Sequence, residues 1–157
     1  IELNQGAVEA LFSDLRLSPQ VSDWQGSGGY QSKKYQNGKL TVFVGDYFKL
    51  MPEHLGKVDF VYDRASIVAF RAEQRSDYVR QLVALAPYAN HLLITLHYDV
   101  SQMQGPPFSV SNEEVAELYA DFEVQRLQEK DIIAHEPRFA ARGLTQFFEC
   151  ISLMTRR

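Results

Sequence analysis

The segment Val58–Phe70, with the sequence VDFVYDRASIVAF, decides the fold of this chain. Its apolar beginning, residues 58–62, predicts a β-strand, and Asp63 and Arg64 follow directly before a second apolar segment. In open α/β sheets, ligands bind in the crevice outside the carboxyl ends of the strands. We therefore expect Asp63 and Arg64 to face a cofactor or a substrate. An exposed Asp-Arg turn is the alternative, and this segment alone does not separate the two.

Neighbouring segments repeat this arrangement of a strand with a polar end. Ile1–Leu3 is typical of a short piece of strand, and Asn4 is a candidate N-cap for a helix whose apolar residues recur at helical spacing. Further strands are predicted over residues 40–44 and 91–98, and a helix over residues 72–86. An acid follows each of the predicted strands 40–44, 58–62 and 91–98, namely Asp46, Asp63 and Asp99. Strands alternating with helices predict an α/β sheet.

Turn and cap signals define the other elements. Asn37-Gly38, between residues 33–36 and 39–44, is a strong hairpin signal, whereas the glycine-containing stretch 22–29 predicts a loop. Ser111 and Glu114 have the spacing of a capping box and predict a helix that ends near Tyr119. The last two predicted strands, residues 122–127 and 144–154, have no helix between them, which favours an antiparallel pair at one edge of the sheet.

Composition narrows the class of protein. The 157 residues suit one domain, with 45% hydrophobic and 23% charged residues. No apolar run approaches the roughly 20 residues of a membrane span, and no signal peptide is visible, so we predict a cytoplasmic protein without a membrane partner. The net charge of −4 disfavours nucleic acid as a partner. The single Cys150 and four scattered histidines disfavour a disulfide and a metal site.

Two acidic positions have the chemistry of a nucleoside-binding site. Glu2 lies between a strand and a helix, where dinucleotide- and adenosyl-binding folds place an acid that accepts hydrogen bonds from ribose hydroxyls. Asp46 and Tyr47 offer an acceptor and an aromatic face of the kind that packs on an adenine ring. A solvated glutamate and a turn with a packed tyrosine are the alternatives. No motif for a covalent nucleophile is present, so we expect a transfer that depends on positioning and electrostatics.

The segment Gly105-Pro106-Pro107-Phe108 invites comparison with the Asn/Asp-Pro-Pro-aromatic tetrapeptide of enzymes that methylate amino groups in nucleic acids. It begins with glycine, however, and lies one strand later than that tetrapeptide. Two successive prolines stiffen the chain. We predict that this segment is a lid over the site.

Several ordered blocks together resemble the thiopurine S-methyltransferase family of bacterial type. They are Glu2-Leu3, Ala7–Ala10, Gly45–Phe48, Tyr62–Ala65, Leu93–Leu96, Tyr98-Asp99, Gly105–Val110 and Arg142–Leu144. The resemblance covers nearly the whole chain. It implies a Rossmann-like, S-adenosylmethionine-dependent methyltransferase sheet, a single methyltransferase domain over residues 1–157, and a monomer.

The resemblance also implies roles for individual residues. Glu2 binds the ribose of S-adenosylmethionine, Asp46 and Tyr47 border its adenine, Arg64 lies beside cofactor and acceptor, and Arg138 lies near the acceptor. The implied reaction is attack of an aromatic or heterocyclic thiol on the methyl group, which leaves S-adenosylhomocysteine. Asp63 is expected to orient Arg64, and acceptance of a proton is the alternative. Methylation of selenium or tellurium species is an alternative. A degenerate cofactor-binding module without activity is another.

The resemblance departs from the family at the beginning of the chain. Family members carry a further amino-terminal segment that includes a tryptophan-containing cap, the first strand and a glycine-containing loop. We therefore expect this sequence to be the carboxyl-terminal part of a longer domain. The absent strand would lie beside the strands that end at Glu2 and Asp63, so we expect a gap in the sheet with unpaired backbone groups.

Overall fold

A computed structural model describes residues 1–157, which form two compact units, residues 1–56 and residues 57–157. The N-terminal unit contains a helix followed by a three-stranded antiparallel sheet in the order β1-β2-β3. Its elements are α1 (Gln5–Asp14), β1 (Gln20–Gln25), β2 (Gln31–Asn37), β3 (Leu40–Phe43) and α2 (Pro52–Leu55). Val8 and Phe12 of α1 pack with Tyr35 and Val44 to form the core of this unit.

Local signals account for most of the N-terminal unit. The side chain of Asn4 accepts a hydrogen bond from the Ala7 amide at 3.3 Å, which confirms it as the N-cap of α1. Asn37 ends β2 and pairs with Leu40, which confirms the predicted hairpin. The predicted strand at Ile1–Leu3 is reduced to a single parallel bridge between Glu2 and Val44.

The loop prediction for residues 22–29 is wrong in its first half. β1 continues to Gln25, and Trp24 is buried, with its indole Nε1 donating a hydrogen bond to the Val44 carbonyl at 3.0 Å. This one buried side chain outweighs the exposed, polar character of the rest of the strand. Gly26 then follows because a Cβ atom there would lie 2.5 Å from the Lys49 carbonyl oxygen.

The C-terminal unit is a four-stranded mixed sheet with helices in its connections. The strand order is β4-β5-β7-β6, with β4 parallel to β5, and β7 antiparallel to both of its neighbours. The elements are β4 (Phe60–Arg64), α3 (Ala72–Leu85), β5 (Asn90–His97), α4 (Asn112–Leu118), β6 (Phe122–Asp131), α5 (Pro137–Ala140) and β7 (Phe148–Arg156). The prediction of an α/β protein with an antiparallel C-terminal strand pair is confirmed at this level.

Strand pairing moves several predicted boundaries in this unit. β4 begins and ends two residues later than predicted, so Asp63 and Arg64 are its last residues, opposite Leu93 and Ile94 of β5. β6 extends to Asp131 because it pairs along the whole of β7, and residues 144–147 precede β7 as a loop. Pairing between strands, which is not visible in local sequence, sets these limits.

Helix α3 packs its apolar residues on one face of this sheet. Tyr78 and Val79 of α3 are buried, as are Leu93 of β5 and Cys150 of β7. A second apolar cluster lies between β5 and the segment that precedes β7, and it consists of Tyr98, Met103, Phe139, Leu144 and Phe147. None of the helices in the structure has the length and apolar character needed to cross a membrane.

Candidate active site

A cavity of about 670 Å³ lies in the C-terminal unit, where β4 and β5 end. Its apolar lining includes Ile94 and Leu96 of β5 together with the rings of Phe139 and Phe147. Five charged side chains line the same space, namely Arg64, Glu136, Arg138, Arg142 and Glu149. An apolar cavity with a few convergent charges is typical of a small-molecule binding site.

Asp63 and Arg64, which the sequence places together, lie on opposite faces of β4. Arg64 is exposed and lines the cavity, whereas Asp63 is only 3% exposed and its Oδ2 accepts a hydrogen bond from the Tyr78 hydroxyl at 2.8 Å. Successive residues of a strand point to opposite sides, so Asp63 does not orient Arg64 and that expectation is wrong. Burial raises the pKa of Asp63 above its ordinary value, and hydrogen bonds such as that from Tyr78 oppose the shift.

Arg138 reaches the cavity from α5, a helix of one turn that begins with Pro137. Its Nε donates a hydrogen bond to Oε2 of Glu136 at 3.1 Å, and its guanidinium carbon lies 4.7 Å from the centroid of the Phe139 ring. These contacts hold a side chain that is 74% exposed. The structure therefore brings Arg64 and Arg138, both predicted from the sequence as catalytic, to one cavity.

A third arginine, Arg142, was not predicted as a site residue. Its guanidinium donates hydrogen bonds to the carbonyl oxygens of Pro106 at 3.1 Å and Gly105 at 3.3 Å, and it lies 5.8 Å from the Phe139 ring centroid. Arg142 follows Arg138 by four residues, a spacing that places two side chains on one side of a helical turn. Arg142 also begins the block Arg142–Leu144 that resembles the family, and that block is the signal that could have identified it.

The Gly105–Phe108 segment forms a wall of the cavity through Pro106 and Pro107. Besides the bonds from Arg142, the Tyr98 hydroxyl donates a hydrogen bond to the Pro107 carbonyl at 2.5 Å, and the Phe108 amide donates to the Val68 carbonyl at 2.7 Å. These bonds anchor the segment on three sides. The two prolines border the cavity and the hydrogen bonds hold them in place as a wall, while their role as a lid stays a prediction.

The predicted cofactor-binding residues Glu2, Asp46 and Tyr47 lie in the N-terminal unit. The Glu2 amide donates a hydrogen bond to the Phe43 carbonyl at 2.9 Å, and the Gly45 amide donates to the Glu2 carbonyl at 2.8 Å. This bridge brings Glu2 beside the end of β3, where Asp46 follows. The Tyr47 ring meets the ring of Phe48 edge-on, with centroids 5.3 Å apart.

The carboxylates of Glu2 and Asp46 can each accept further hydrogen bonds. Oε1 of Glu2 accepts from the Asn4 amide at 2.8 Å, and Oδ1 of Asp46 accepts from the Phe48 amide at 2.9 Å. The second oxygen of each carboxylate has no hydrogen bond within the chain. Glu2 is exposed and Asp46 is partly buried. This arrangement fits a ligand that presents hydroxyl and amino donors, such as a nucleoside.

The chain has a mixed sheet and, where its parallel strands end, a cavity lined by apolar and charged side chains. These features are typical of a small-molecule-binding protein of the α/β class. A family model described as Thiopurine S-methyltransferase (TPMT) matches residues 1–157. The chain belongs to the thiopurine S-methyltransferase family, whose members use S-adenosylmethionine. The resemblance seen in the sequence is thereby confirmed.

Individual relatives agree with this assignment. The chain is 39% identical to a thiopurine S-methyltransferase of Vibrio atlanticus over 155 residues, which are 98% of this chain and 68% of that protein. It is also 39% identical to one of Bordetella petrii over 159 residues, covering 100% of this chain and 70% of the relative. A third, from Nitrosospira multiformis, is 36% identical, with coverages of 100% and 70%.

Proposed function

We propose that this chain catalyses methyl transfer from S-adenosylmethionine to the sulfur of an aromatic or heterocyclic thiol. The observation that carries the proposal is the cavity, in which Arg64 and Arg138 border apolar side chains. Its volume of about 670 Å³ is within the range of small-ligand pockets. We further propose that residues 1–157 belong to one Rossmann-like methyltransferase domain, in a cytoplasmic, monomeric protein.

The apolar part of the cavity would bind the ring of the acceptor. Phe139 and Phe147 are nearly buried, at 6% and 1% exposure, and they present fixed faces beside Ile94 and Leu96. An aromatic ring that replaces water there gains free energy in proportion to the apolar area it covers. Such a surface accepts many rings, so the sulfur must be recognised by charge.

Arg64 is the side chain best suited to favour the thiolate form of the acceptor. Its guanidinium forms no ion pair or hydrogen bond in the chain, whereas the charge of Arg138 is partly balanced by Glu136. A positive charge near a thiol lowers the thiol's pKa and so increases the nucleophilic fraction at neutral pH. Because aromatic thiols are already acidic, the proton can pass to water, and no general base is required.

Glu2, Asp46 and Tyr47 would bind S-adenosylmethionine, which supplies an electrophilic methyl group on a sulfonium sulfur. The free oxygen of Glu2 would accept hydrogen bonds from ribose, and Asp46 and Tyr47 would border the adenine. Arg64 is proposed to lie beside the cofactor as well as the acceptor. The partner-free carboxylate oxygens described above support these roles.

The test compares Arg64→Ala and Arg138→Ala with Arg80→Ala, a control on α3 whose guanidinium pairs with Asp77 and does not line the cavity. With an aromatic thiol, Arg64→Ala should lower kcat/KM by at least about tenfold, equivalent to roughly 1.4 kcal/mol. The deficit should shrink as the pH rises above the pKa of the thiol, because the thiolate then forms without help. Arg138→Ala should raise KM for the thiol more than KM for S-adenosylmethionine.

Three results would count against the proposal. An unchanged rate in Arg64→Ala would return this arginine to the status of a surface residue. A deficit that is independent of pH would remove thiolate stabilisation as its role. Equal effects of Arg138→Ala on the two KM values would place that residue outside acceptor binding.

A further inference from the structure

Glu149 is the one carboxylate of the cavity that has no partner. It is the second residue of β7 and stands in register with Leu96 of β5 and Lys130 of β6. Glu136, the other acid of the cavity, forms an ion pair with Arg138. The carboxylate of Glu149 forms neither an ion pair nor a hydrogen bond, although Lys130 lies opposite it on the neighbouring strand.

The strand fixes the side on which Glu149 lies. Its neighbours Phe148 and Cys150 belong to the opposite face, where Cys150 is buried at 1% exposure. Glu149 therefore shares a face with Leu96 and lines the cavity, and it is itself partly covered. A partly covered carboxylate beside aliphatic side chains is unfavourable unless its oxygens accept hydrogen bonds. No donor from the chain fills that role.

Arg64 and Glu149, the two charged residues of the cavity that lie on strands, are separated across the sheet. Arg64 lies on β4 and Glu149 on β7, with β5 between them. Arg64 is level with Ile94 and Glu149 with Leu96, so two strand spacings and an offset of two residues separate their backbones by about 12 Å. A fused bicyclic ring with a polar group at each end would span such a gap. A thiolate is attracted to the arginine side and repelled by the glutamate, so the sulfur and Glu149 must lie at opposite ends of a bound acceptor.

We infer that Glu149 determines acceptor specificity by accepting a hydrogen bond from a ring N–H of a heterocyclic thiol, at the end of the ring that is remote from the sulfur. The inference rests on the proposed function and deepens it. A purine thiol keeps an N–H on its five-membered ring after the sulfur loses its proton, so donor and thiolate coexist in one molecule. A carbocyclic thiol has no such donor and leaves Glu149 unpaired, which lowers its affinity.

The experiment measures kcat/KM for 6-mercaptopurine, for its 9-methyl derivative, whose five-membered ring has no N–H, and for 2-naphthalenethiol. The variants are Glu149→Leu, which removes the acceptor, and Glu149→Gln, which keeps a carbonyl acceptor without the charge. Glu123→Gln is the matched control, since Glu123 is exposed on β6 and does not line the cavity. Thermal unfolding of every variant monitors folding.

The wild-type chain should prefer 6-mercaptopurine to its 9-methyl derivative, and Glu149→Leu should reduce that preference by about tenfold, as expected for loss of a hydrogen bond to a charged acceptor. Glu149→Gln should show an intermediate preference, and 2-naphthalenethiol should react equally well or better with Glu149→Leu. Glu123→Gln should match the wild type.

Other outcomes overturn the inference. Equal losses with all three thiols would make Glu149 a structural residue, and an unchanged preference in both Glu149 variants would show that it does not contact the ring. If the wild-type chain methylates none of these thiols, the proposed function fails together with the inference. If the wild type methylates them and only the preference is absent, the inference alone fails.

Discussion

Replacing Arg75 with methionine should destabilise the C-terminal unit strongly, because this one side chain joins three segments. Arg75 lies in α3 and is only 2% exposed. Its Nη1 donates to both carboxylate oxygens of Glu114, at 2.7 and 2.6 Å, its Nε donates to the Phe70 carbonyl at 3.1 Å, and its Nη2 donates to the Ser109 carbonyl at 3.0 Å. Methionine keeps the apolar stem and removes every one of these donors.

The expected loss of stability depends on the Glu114 carboxylate, which loses its partner in Arg75→Met. Removing one partner of a buried ion pair costs about 3–5 kcal/mol. The Glu114 side chain is 27% exposed, so water partly replaces the lost guanidinium. We therefore expect a loss at the lower end of this range, about 3 kcal/mol. For a chain of this length, that corresponds to a decrease of about 6–12 °C in the unfolding midpoint.

The assay is thermal and urea unfolding of Arg75→Met, of Glu114→Met and of the double variant. The double variant should be more stable than the sum of the single losses predicts, since it leaves no uncompensated charge. Arg80→Met is the matched control on the same helix: its pair with Asp77 is exposed at 74% and 61%, and the expected loss is below about 1 kcal/mol. If Arg75→Met melts within about 2 °C of the wild type, or no lower than Arg80→Met, the reasoning is refuted.

Two further predictions concern a buried histidine and the wall of the cavity. Burial, followed by the charge of Arg156, lowers the pKa of His91 to about 4, so the folded chain excludes a proton that the unfolded chain binds below about pH 6.5. The stability that the folded state gains by keeping His91 neutral is therefore present above that pH and is lost as the pH falls towards 4. Between pH 7 and pH 4, the free energy of unfolding in urea should therefore fall by about 3 kcal/mol less in His91→Phe than in the wild type. Equal decreases in the two proteins would contradict a neutral buried histidine. Arg142→Ala should raise KM for the thiol about fivefold, because the cavity wall at Gly105 and Pro106 loses the hydrogen bonds from this arginine. Arg142→Lys should partly restore the wild-type KM. An unchanged KM in steady-state assays would show that the wall stays in place without this arginine.

Elements with strong local signals were predicted correctly from the sequence. The cap at Asn4, the hairpin at Asn37-Gly38 and the cap at Ser111 each depend on side chains that act within a few residues. The capping box is only half correct, because the Ser111 hydroxyl accepts from the Glu114 amide while the Glu114 carboxylate binds Arg75. A partner 39 residues away is outside the reach of a local pattern.

Some residues of the candidate site were predicted from the sequence, and others were not. Arg64 was predicted because it ends a strand, and Arg138 because it matches the family, and both line the cavity. Arg142 and Glu149 were not predicted as site residues. The role of Arg142 depends on carbonyl oxygens 36 and 37 residues earlier, and that of Glu149 depends on the register of β7 against β5. Such contacts arise only from tertiary structure.

The register of β4 explains how two adjacent charged residues come to have different roles. Asp63 pairs with Leu93 and faces the helices, where it meets Tyr78, whereas Arg64 pairs with Ile94 and faces the cavity. A shift by one residue would exchange these faces. It would turn Arg64 towards the helices and place Asp63 in the cavity, where the proposed function requires a positive charge. Phe139 and Phe147 belong to other segments of the chain, so this shift would not exchange the faces on which they lie. The sign of the charge that β4 presents to the cavity therefore depends on its register against β5.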